Sequence, residues 1–205
     1  MLVNIRGTHG SGKSTIVRSL LDAGDARPLY GALKRRPEAY EVTLAGKPAY
    51  IIGPYETPCG GADCIQPYSL IVPLIEKYAA VGHVVFEGAL ISSCWGAVGQ
   101  VLERWGHEAL IVFLDTPVAE CIARVQARRA QRGDGRPSNP KNLISKHKTI
   151  AGLKVKLDAA GIVRTVVVSS ATAVADVTAL LESNERAPRH AARPEAVGNL
   201  NRRMK

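Results

Sequence analysis

Residues 7–14 read Gly7-Thr8-His9-Gly10-Ser11-Gly12-Lys13-Ser14 and follow the apolar run Leu2-Val3-Asn4-Ile5. They fit the pattern G-x-x-x-x-G-K-[ST] in the strand-then-helix context that this pattern requires. The glycines let successive backbone N–H groups point at one anion, while Lys13 supplies charge to the outer phosphates and Ser14 supplies a hydroxyl for magnesium. A helix that begins near Lys13 adds its positive end. The segment predicts a nucleoside triphosphate site, and the alternative is a glycine-rich turn without a ligand. The predicted contacts are Gly7, Thr8, His9, Gly10, Ser11, Gly12, Lys13, Ser14 and Thr15.

Composition restricts the class of protein. The chain has 205 residues, of which 46% are hydrophobic, and this predicts one globular domain over residues 1–184. Residues 185–205 carry six basic and two acidic side chains, which predicts a basic, disordered tail. The total net charge of +9 favours a polyanionic partner or anionic substrates. No apolar run is long enough to cross a membrane, and we expect a cytoplasmic protein with reduced cysteines and no zinc site.

Short apolar runs alternate with helical patterns along the chain. This order predicts an α/β three-layer sandwich, with a mainly parallel five-stranded sheet and helices on both faces. Tyr40 to Leu44 and Pro48 to Ile52 could pair as a small hairpin, or the second run could be a sheet strand alone. Predicted strands are Leu2 to Ile5, Ala49 to Ile52, His83 to Phe86, Ala109 to Leu114 and Ile162 to Val168. Predicted helices are Lys13 to Asp22, Pro67 to Val81, Trp95 to Trp105, Pro117 to Arg132, Asn142 to Ala160 and Ala173 to Ser183.

Two carboxylates are candidates for chemistry because ligands collect outside the carboxyl ends of parallel strands. Glu87 follows the third predicted strand, where it could hold magnesium, act as a base, or serve only as a structural cap. Asp63 ends a long glycine-rich loop and could accept a proton from an attacking hydroxyl, or it could cap a helix. Glu56 in the same loop competes with Asp63. Gly60 and Gly61 could allow a substrate to approach the backbone closely.

Basic side chains concentrate after the fourth predicted strand. The helix predicted to begin after Thr116, its N-cap, carries Arg124, Arg128 and Arg132 at intervals of four residues. The following loop contains Arg136 and could close over phosphates, although a solvated basic helix face would show the same spacing. The next helix carries a second basic stretch from Lys141 to Lys156. It could contact a phosphate backbone or only aid solubility, and aromatic residues for base stacking are absent from it.

Four features together resemble the P-loop kinases of nucleosides and nucleotides. They are the phosphate loop, Glu87-Gly88, the Leu114-Asp115-Thr116-Pro117 entry into an arginine-bearing helix, and a lid near residues 129–141. The resemblance covers about residues 1 to 184 and implies ATP as donor. It also implies that Arg128, Arg132 and Arg136 close over ATP, and that the base is Asp63 or Glu87.

The loop from Tyr55 to Asp63 is similar to one in bacteriophage P-loop kinases, including those that phosphorylate 5-hydroxymethyluracil in DNA during thymidine hypermodification. The chain lacks the Asp-Arg-Tyr-like triplet of thymidylate kinases, and it has Glu87-Gly88 where deoxynucleoside kinases have Glu-Arg-Ser. These departures disfavour a free nucleotide or nucleoside as acceptor.

The resulting hypothesis is a magnesium-dependent kinase that moves the γ-phosphoryl group of ATP to a hydroxyl of a nucleoside-like acceptor, with 5-hydroxymethyluracil in phage DNA preferred. A phage enzyme of this kind would act in the host cytoplasm. The alternatives are a kinase of free nucleosides or nucleotides, a non-kinase P-loop NTPase switch, and a DNA-binding module with an inactive phosphate loop. The expected catalytic residues are Lys13, Asp63, Glu87, Arg128 and Arg132. Ser14 and Glu87 are the expected magnesium ligands.

Overall fold

One sheet organises the computed structural model, which describes residues 1–183 except 32, 34, 45, 58–59 and 135–138. In the described residues its strands lie in the order β2-β3-β4-β5-β1-β6-β7. The five strands from β4 to β7 in this order run parallel, whereas β3 pairs antiparallel with β2 and with β4. The strands are β1 Leu2–Arg6, β2 Arg27–Leu29, β3 Ala39–Leu44, β4 Lys47–Ile52, β5 His83–Glu87, β6 Ala109–Leu114 and β7 Arg164–Val168.

The predicted α/β class is confirmed, and the expected strand number needs a correction from five to seven. All five predicted strands are present as the parallel part of the sheet. The hairpin is also present, and its second strand is at the same time a member of the parallel sheet. The strand Arg27–Leu29 escaped prediction because its three residues, Arg-Pro-Leu, are too few to show an alternating pattern.

The helices lie on both faces of this sheet. They are α1 Lys13–Ala23, α2 Ile71–Ala79, α3 Ala89–Ser93, α4 Gly96–Trp105, α5 Val118–Gln131, α6 Pro140–Ala160 and α7 Ala173–Glu182. Two differences from the sequence prediction matter for the site. The helix expected from Pro67 begins at Ile71, after a 3-10 turn at Tyr68–Leu70, and α3 was not predicted at all.

Two hydrophobic cores hold the layers together. On one face α2, α4 and α6 bury side chains such as Ile75, Leu102 and Leu157 against the sheet. On the other face α1 and α7 bury side chains such as Leu20 and Val177. Strand β1 is buried along its whole length, as expected for a central parallel strand covered on both faces. The three-layer arrangement follows from this burial.

Two predicted segments fall partly or wholly outside the described residues. The basic tail at 185–205 is outside them, and so is Arg136 of the predicted lid. The flanks of that lid are described: α5 ends at Gln131 and α6 begins at Pro140. No helix among the described residues combines the length and the apolar character needed to cross a bilayer.

Candidate active site

A cavity of about 610 Å³ lies at the carboxyl ends of the parallel strands. It brings together the phosphate loop, the loop after β4, the end of β5, helix α5 and the turn after β7. Most predicted site residues line it. Those residues are His9, Gly10, Gly12, Lys13, Ser14, Thr15, Asp63, Glu87 and Arg128, and the other lining residues include Arg18, Gly60, Cys64, Ala89, Arg124 and Ser170.

The phosphate loop depends on glycine at particular positions. Gly10 and Gly12 have φ angles of 81° and 100°, in the left-handed region that favours glycine. Gly12 directly precedes α1, so the positive end of that helix faces the cavity. A Cβ on Gly10 would lie 2.4 Å from the carbonyl oxygen of Cys121. The loop is therefore packed against the start of α5 and cannot accept a larger residue at Gly10.

Lys13 is buried within this loop. Its Nζ donates hydrogen bonds to the carbonyl oxygens of Gly7 at 2.8 Å and Thr8 at 3.0 Å. Burial lowers the pKa of Lys13, while the nearby carboxylates of Glu87 and Asp63 act in the opposite direction. Lys13 and the two predicted carboxylates line the same cavity.

Ser14 and Glu87 are in direct contact. The hydroxyl of Ser14 donates a 2.8 Å hydrogen bond to Oε1 of Glu87. Only 2% of Glu87 is exposed, and this burial raises the pKa of its carboxyl against the opposing effects of Lys13 and Ser14. The register of the parallel pair β1–β5 sets Glu87 beside Ile5, just before the phosphate loop. Carboxylate and hydroxyl oxygens are hard donors, so the pair suits Mg²⁺.

Asp63 lies in a 3-10 turn, Ala62–Cys64, on the other side of Glu87. Its Oδ2 accepts hydrogen bonds from the backbone N–H groups of Ala89 and of Leu90, the latter at 3.0 Å. Its Oδ1 accepts a 2.8 Å bond from the hydroxyl of Tyr68. Asp63 therefore caps α3, an unpredicted helix, and at the same time lines the cavity.

Other parts of the loop after β4 differ from expectation. Glu56, the competing carboxylate, pairs with Arg36 at 3.6 Å and is not among the residues that line the cavity. Gly60 and Gly61 lie close to other protein atoms. A Cβ on Gly60 would lie 2.6 Å from the ring of Tyr55, and a Cβ on Gly61 would lie 2.7 Å from Oε1 of Glu87. These two glycines allow the loop to pack against its own neighbours.

Helix α5 directs part of its arginine stripe at the cavity. Arg124 donates a 3.3 Å hydrogen bond to the carbonyl oxygen of Gly10, and Arg128 lines the cavity. Arg132 follows the helix and does not line the cavity. The predicted N-cap at Thr116 is wrong. Pro117 occupies the cap position, and the Thr116 hydroxyl instead donates to the carbonyl oxygen of Ser11 because it is turned into the phosphate loop.

Helix α6 also contacts the phosphate loop. The Nζ of Lys146 lies 3.3 Å from Nε2 of His9, and the hydroxyl of Thr8 donates to the carbonyl oxygen of Leu143 at 3.5 Å. The protein around the His9 ring removes part of its hydration, which lowers the pKa of His9, and Lys146 and Lys13 lower it further. A neutral His9 can accept a hydrogen bond from the Lys146 ammonium.

Sequence reasoning missed Arg18 as a site residue. Arg18 lines the cavity, donates to the carbonyl oxygen of Thr57, and stacks its guanidinium 5.8 Å from the centre of the Tyr55 ring. The available signal was its spacing of four residues from Ser14, which puts both side chains on one face of α1.

Comparison with known proteins identifies the family of this chain. No family model matches the chain. The 5-hmdU DNA kinase of Pseudomonas phage PaMx11 is 37% identical to it over 165 residues, which cover 78% of this chain and 87% of the relative. This chain belongs to the phage P-loop kinase family. A second family member, the 5-hmdU DNA kinase of Pseudomonas phage M6, is 30% identical over 190 residues, which cover 88% of this chain and 97% of the relative.

A solved structure of deoxyadenosine kinase from M. mycoides also aligns with this phage P-loop kinase. The alignment covers 88% of this chain and 96% of that chain, with 13% identity and a TM-score of 0.47. The family relationship carries the conclusion without it: the chain is a phosphotransferase with a hydroxyl acceptor. This result confirms the kinase hypothesis and decides against a non-kinase NTPase switch.

Proposed function

We propose that this kinase transfers the γ-phosphoryl group of ATP, with Mg²⁺, to the hydroxymethyl hydroxyl of 5-hydroxymethyluracil in phage DNA. The observation that carries the proposal is the meeting of Lys13, Ser14, Glu87 and Asp63 in one cavity. The names of the relatives from phages PaMx11 and M6 support the acceptor. The departures of the sequence from free-nucleoside and free-nucleotide kinases favour the same acceptor.

The donor phosphates would occupy the phosphate loop. Backbone N–H groups of residues 7–15 and the N-terminus of α1 would surround the β-phosphate, and Lys13 would neutralise charge on the β- and γ-phosphates. Lys13 is already held beside the loop by its bonds to Gly7 and Thr8. Its ammonium group needs only to exchange these carbonyl oxygens for phosphate oxygens.

Ser14 and Glu87 would hold the magnesium ion. Both side chains are oxygen donors, and the 2.8 Å bond between them keeps them at the same point of the cavity. When bound, Mg²⁺ would offset charge on the phosphate oxygens. Glu87 is held in place by the buried strand β5, so the ligand geometry does not depend on a mobile loop.

Asp63 would orient the acceptor hydroxyl and take its proton. In the reaction a bond forms between the acceptor oxygen and the γ-phosphorus, the bond from that phosphorus to the β,γ-bridging oxygen breaks, and ADP leaves. The proton passes from the hydroxyl to the Asp63 carboxylate. Hydrogen bonds from Tyr68 and the start of α3 fix the direction of this carboxylate.

Cationic side chains from α5 would neutralise charge that develops on the transferring group. Arg128 already lines the cavity and is the first candidate. Arg132 and Arg136 would join it through closure of the segment near 129–141, which links α5 to α6. Positioned arginines stabilise phosphoryl-transfer transition states in this way.

A modified base in duplex DNA would have to be flipped out to reach a recessed cavity. Arg124 and Arg128 of α5 line that cavity, and Lys146 of α6 lies 3.3 Å from His9 at its wall. These two basic helices would attract the phosphate backbone. Helix α6 alone carries five lysines and one aspartate. Acceptor binding should therefore weaken steeply as salt increases.

The test follows the label from γ-labelled ATP and magnesium. The acceptors are DNA that contains 5-hydroxymethyluracil, ordinary DNA, and a panel of free nucleosides and nucleotides. The proposal expects label only in the modified DNA, and no transfer by Lys13→Ala. Label in a free nucleoside or nucleotide would replace the DNA acceptor with a small molecule, while normal turnover by Lys13→Ala would refute the phosphate-loop assignment.

A further inference from the structure

A second cavity, of about 340 Å³, opens on the flank of the molecule. It lies between α6 and the segment that joins α3 to α4. The residues that line this flank groove are Ser93, Trp95, Thr149, Gly152, Leu153 and Lys156. None of them belongs to the active-site cavity.

We propose that the flank groove binds the phosphodiester backbone of the DNA strand next to the nucleotide in the active site. This inference rests on the proposed function. It adds the surface that would distinguish a polynucleotide acceptor from a free nucleoside, because a free nucleoside would be too small to occupy both cavities.

Helix α3 contributes a residue to each cavity. Ala89, at the start of α3, lines the active-site cavity, and Ser93, at its end, lines the flank groove. Four residue steps in a helix span about 6 Å, whereas neighbouring nucleotides of one strand are separated by about 3.4 Å along a duplex axis and by more when the strand is extended. Helix α6 similarly runs from Lys146, beside the phosphate loop, to Lys156 at the groove. A strand that leaves the active site along α3 would therefore enter the groove within a few nucleotides.

Gly152 is the feature that points to a close-fitting ligand. It lies in the interior of the 21-residue helix α6, where glycine is less stable than alanine. A Cβ at this position would meet nothing within 4 Å, so packing inside the protein does not require glycine. A glycine with open space above it lets a ligand backbone approach the helix closely.

Charge in the groove suits a polyanion. Lys148, Gly152 and Lys156 lie at intervals of four residues, so they share one exposed face of α6. Behind the groove, the guanidinium of the fully buried Arg6 lies 5.2 Å from the centre of the Trp95 ring. Among the described residues Arg6 forms no ion pair, and its partners are the side chain of Asn4 and the carbonyl oxygens of Ser92 and Cys94. Its positive charge is therefore not compensated by a carboxylate.

Trp95 forms the floor of the groove beside Lys156. It is only 7% exposed, because its ring packs within the hydrophobic core against Gly99 and the guanidinium of Arg6. Trp95 therefore closes the groove and offers no face for base stacking, so contacts to the backbone carry the interaction. Small side chains at Ser93 and Gly152 leave room for the sugar-phosphate backbone between them.

The experiment measures binding of a fluorescein-labelled, single-stranded 12-nucleotide DNA by fluorescence anisotropy at fixed salt. Gly152→Leu should fill the groove and raise Kd at least about tenfold, because the phosphate contacts at the groove would be lost. Ala151→Leu, one position away and exposed outside the groove, is the matched control and should bind like the wild type. Equal binding by Gly152→Leu and the wild type, with both folded by circular dichroism, would overturn the proposal.

A second variant keeps the test decisive if Gly152→Leu does not fold. Lys156→Gln should reduce the slope of log K against log salt concentration by about one, because one phosphate contact is lost. Lys47→Gln is its control, because Lys47 begins β4 at the opposite edge of the sheet from the active site. An unchanged slope for Lys156→Gln would also overturn the proposal. Failure of the proposed function is a separate result: DNA would bind in the groove, but no label would reach its modified base.

Discussion

The hydroxyl of Ser14 donates a 2.8 Å hydrogen bond to the buried carboxylate of Glu87, across 73 positions of sequence. This bond joins the first turn of α1 to the end of β5, so it ties the helix that follows the phosphate loop to the carboxyl edge of the sheet. Neither side chain needs to move far to share a cation. The contact therefore leads directly to a prediction about metal dependence.

Ser14→Ala and Glu87→Gln should each lower activity at fixed Mg²⁺ by about 10- to 100-fold, the range typical of changes in and around metal sites. Raising the Mg²⁺ concentration should restore part of the loss, because each variant keeps one of the two oxygen donors. The measurement is initial rate against Mg²⁺ concentration. Ser183→Ala, at the end of α7, is the control; its hydroxyl donates to the carbonyl oxygen of Leu180 at 3.2 Å, and Ser183 does not line the active-site cavity. A Mg²⁺ dependence identical to that of the wild type in both variants would contradict the assignment.

The burial of Glu87 also predicts that the stability of the protein depends on pH. Burial raises its pKa in the folded protein above the ordinary value of 4.5, so the folded state holds this proton to higher pH than the unfolded chain does. The free energy of unfolding of the wild type should therefore fall as pH rises from about 4.5 through the raised pKa. The reason is that the buried carboxyl group must then ionise without full hydration. Glu87→Gln keeps an oxygen that can accept the Ser14 bond and lacks this ionisation.

Urea unfolding without Mg²⁺ at about pH 4.5 and about pH 8 checks this expectation. The free energy of unfolding of Glu87→Gln, relative to wild type, should be greater at the higher pH. Glu182→Gln, at an exposed position in α7, should show no such trend. A difference between Glu87→Gln and wild type that does not vary with pH would rule out the effect.

Substitutions at Asp63 and Tyr68 distinguish a role in base catalysis from a role in positioning the carboxylate. Asp63→Asn should reduce kcat by at least about a hundredfold, the usual range for loss of a general base, with little change in KM for ATP. Tyr68→Phe removes one of the hydrogen bonds to this carboxylate and keeps the ring, so it should have a much smaller effect. Steady-state kinetics with saturating acceptor distinguish the two. A larger loss for Tyr68→Phe than for Asp63→Asn would assign the chemistry elsewhere.

Arg128 and Arg129 form a matched pair on α5. Arg128 lines the cavity, whereas Arg129 lies 3.8 Å from Asp134 in an ion pair and is not among the lining residues. Arg128→Ala should lower kcat by about a hundredfold, as for loss of one group that stabilises transition-state charge. Arg129→Ala should stay within a few-fold of the wild type, because a partly exposed ion pair contributes little. Comparable losses in both variants would indicate a general electrostatic effect of α5.

The sequence alone determined the phosphate loop, the α/β class and the five parallel strands. These features depend on local spacing: glycines at fixed positions before Lys13, and apolar runs that alternate with helical patterns. Strand Arg27–Leu29 and helix α3 were missed because they are too short to show a period. The cap at Thr116 was misassigned for another reason: its hydroxyl donates to the carbonyl oxygen of Ser11, which is distant in sequence.

Only the tertiary structure decided which side chains meet. Glu87 reaches Ser14 because the register of β1 and β5 places it there, and Asp63 caps a helix that begins 26 residues later. Trp95 joins the basic face of α6 because α3 packs against that helix. Such contacts depend on strand register and on the packing of layers, and local periodicity carries no information about either one.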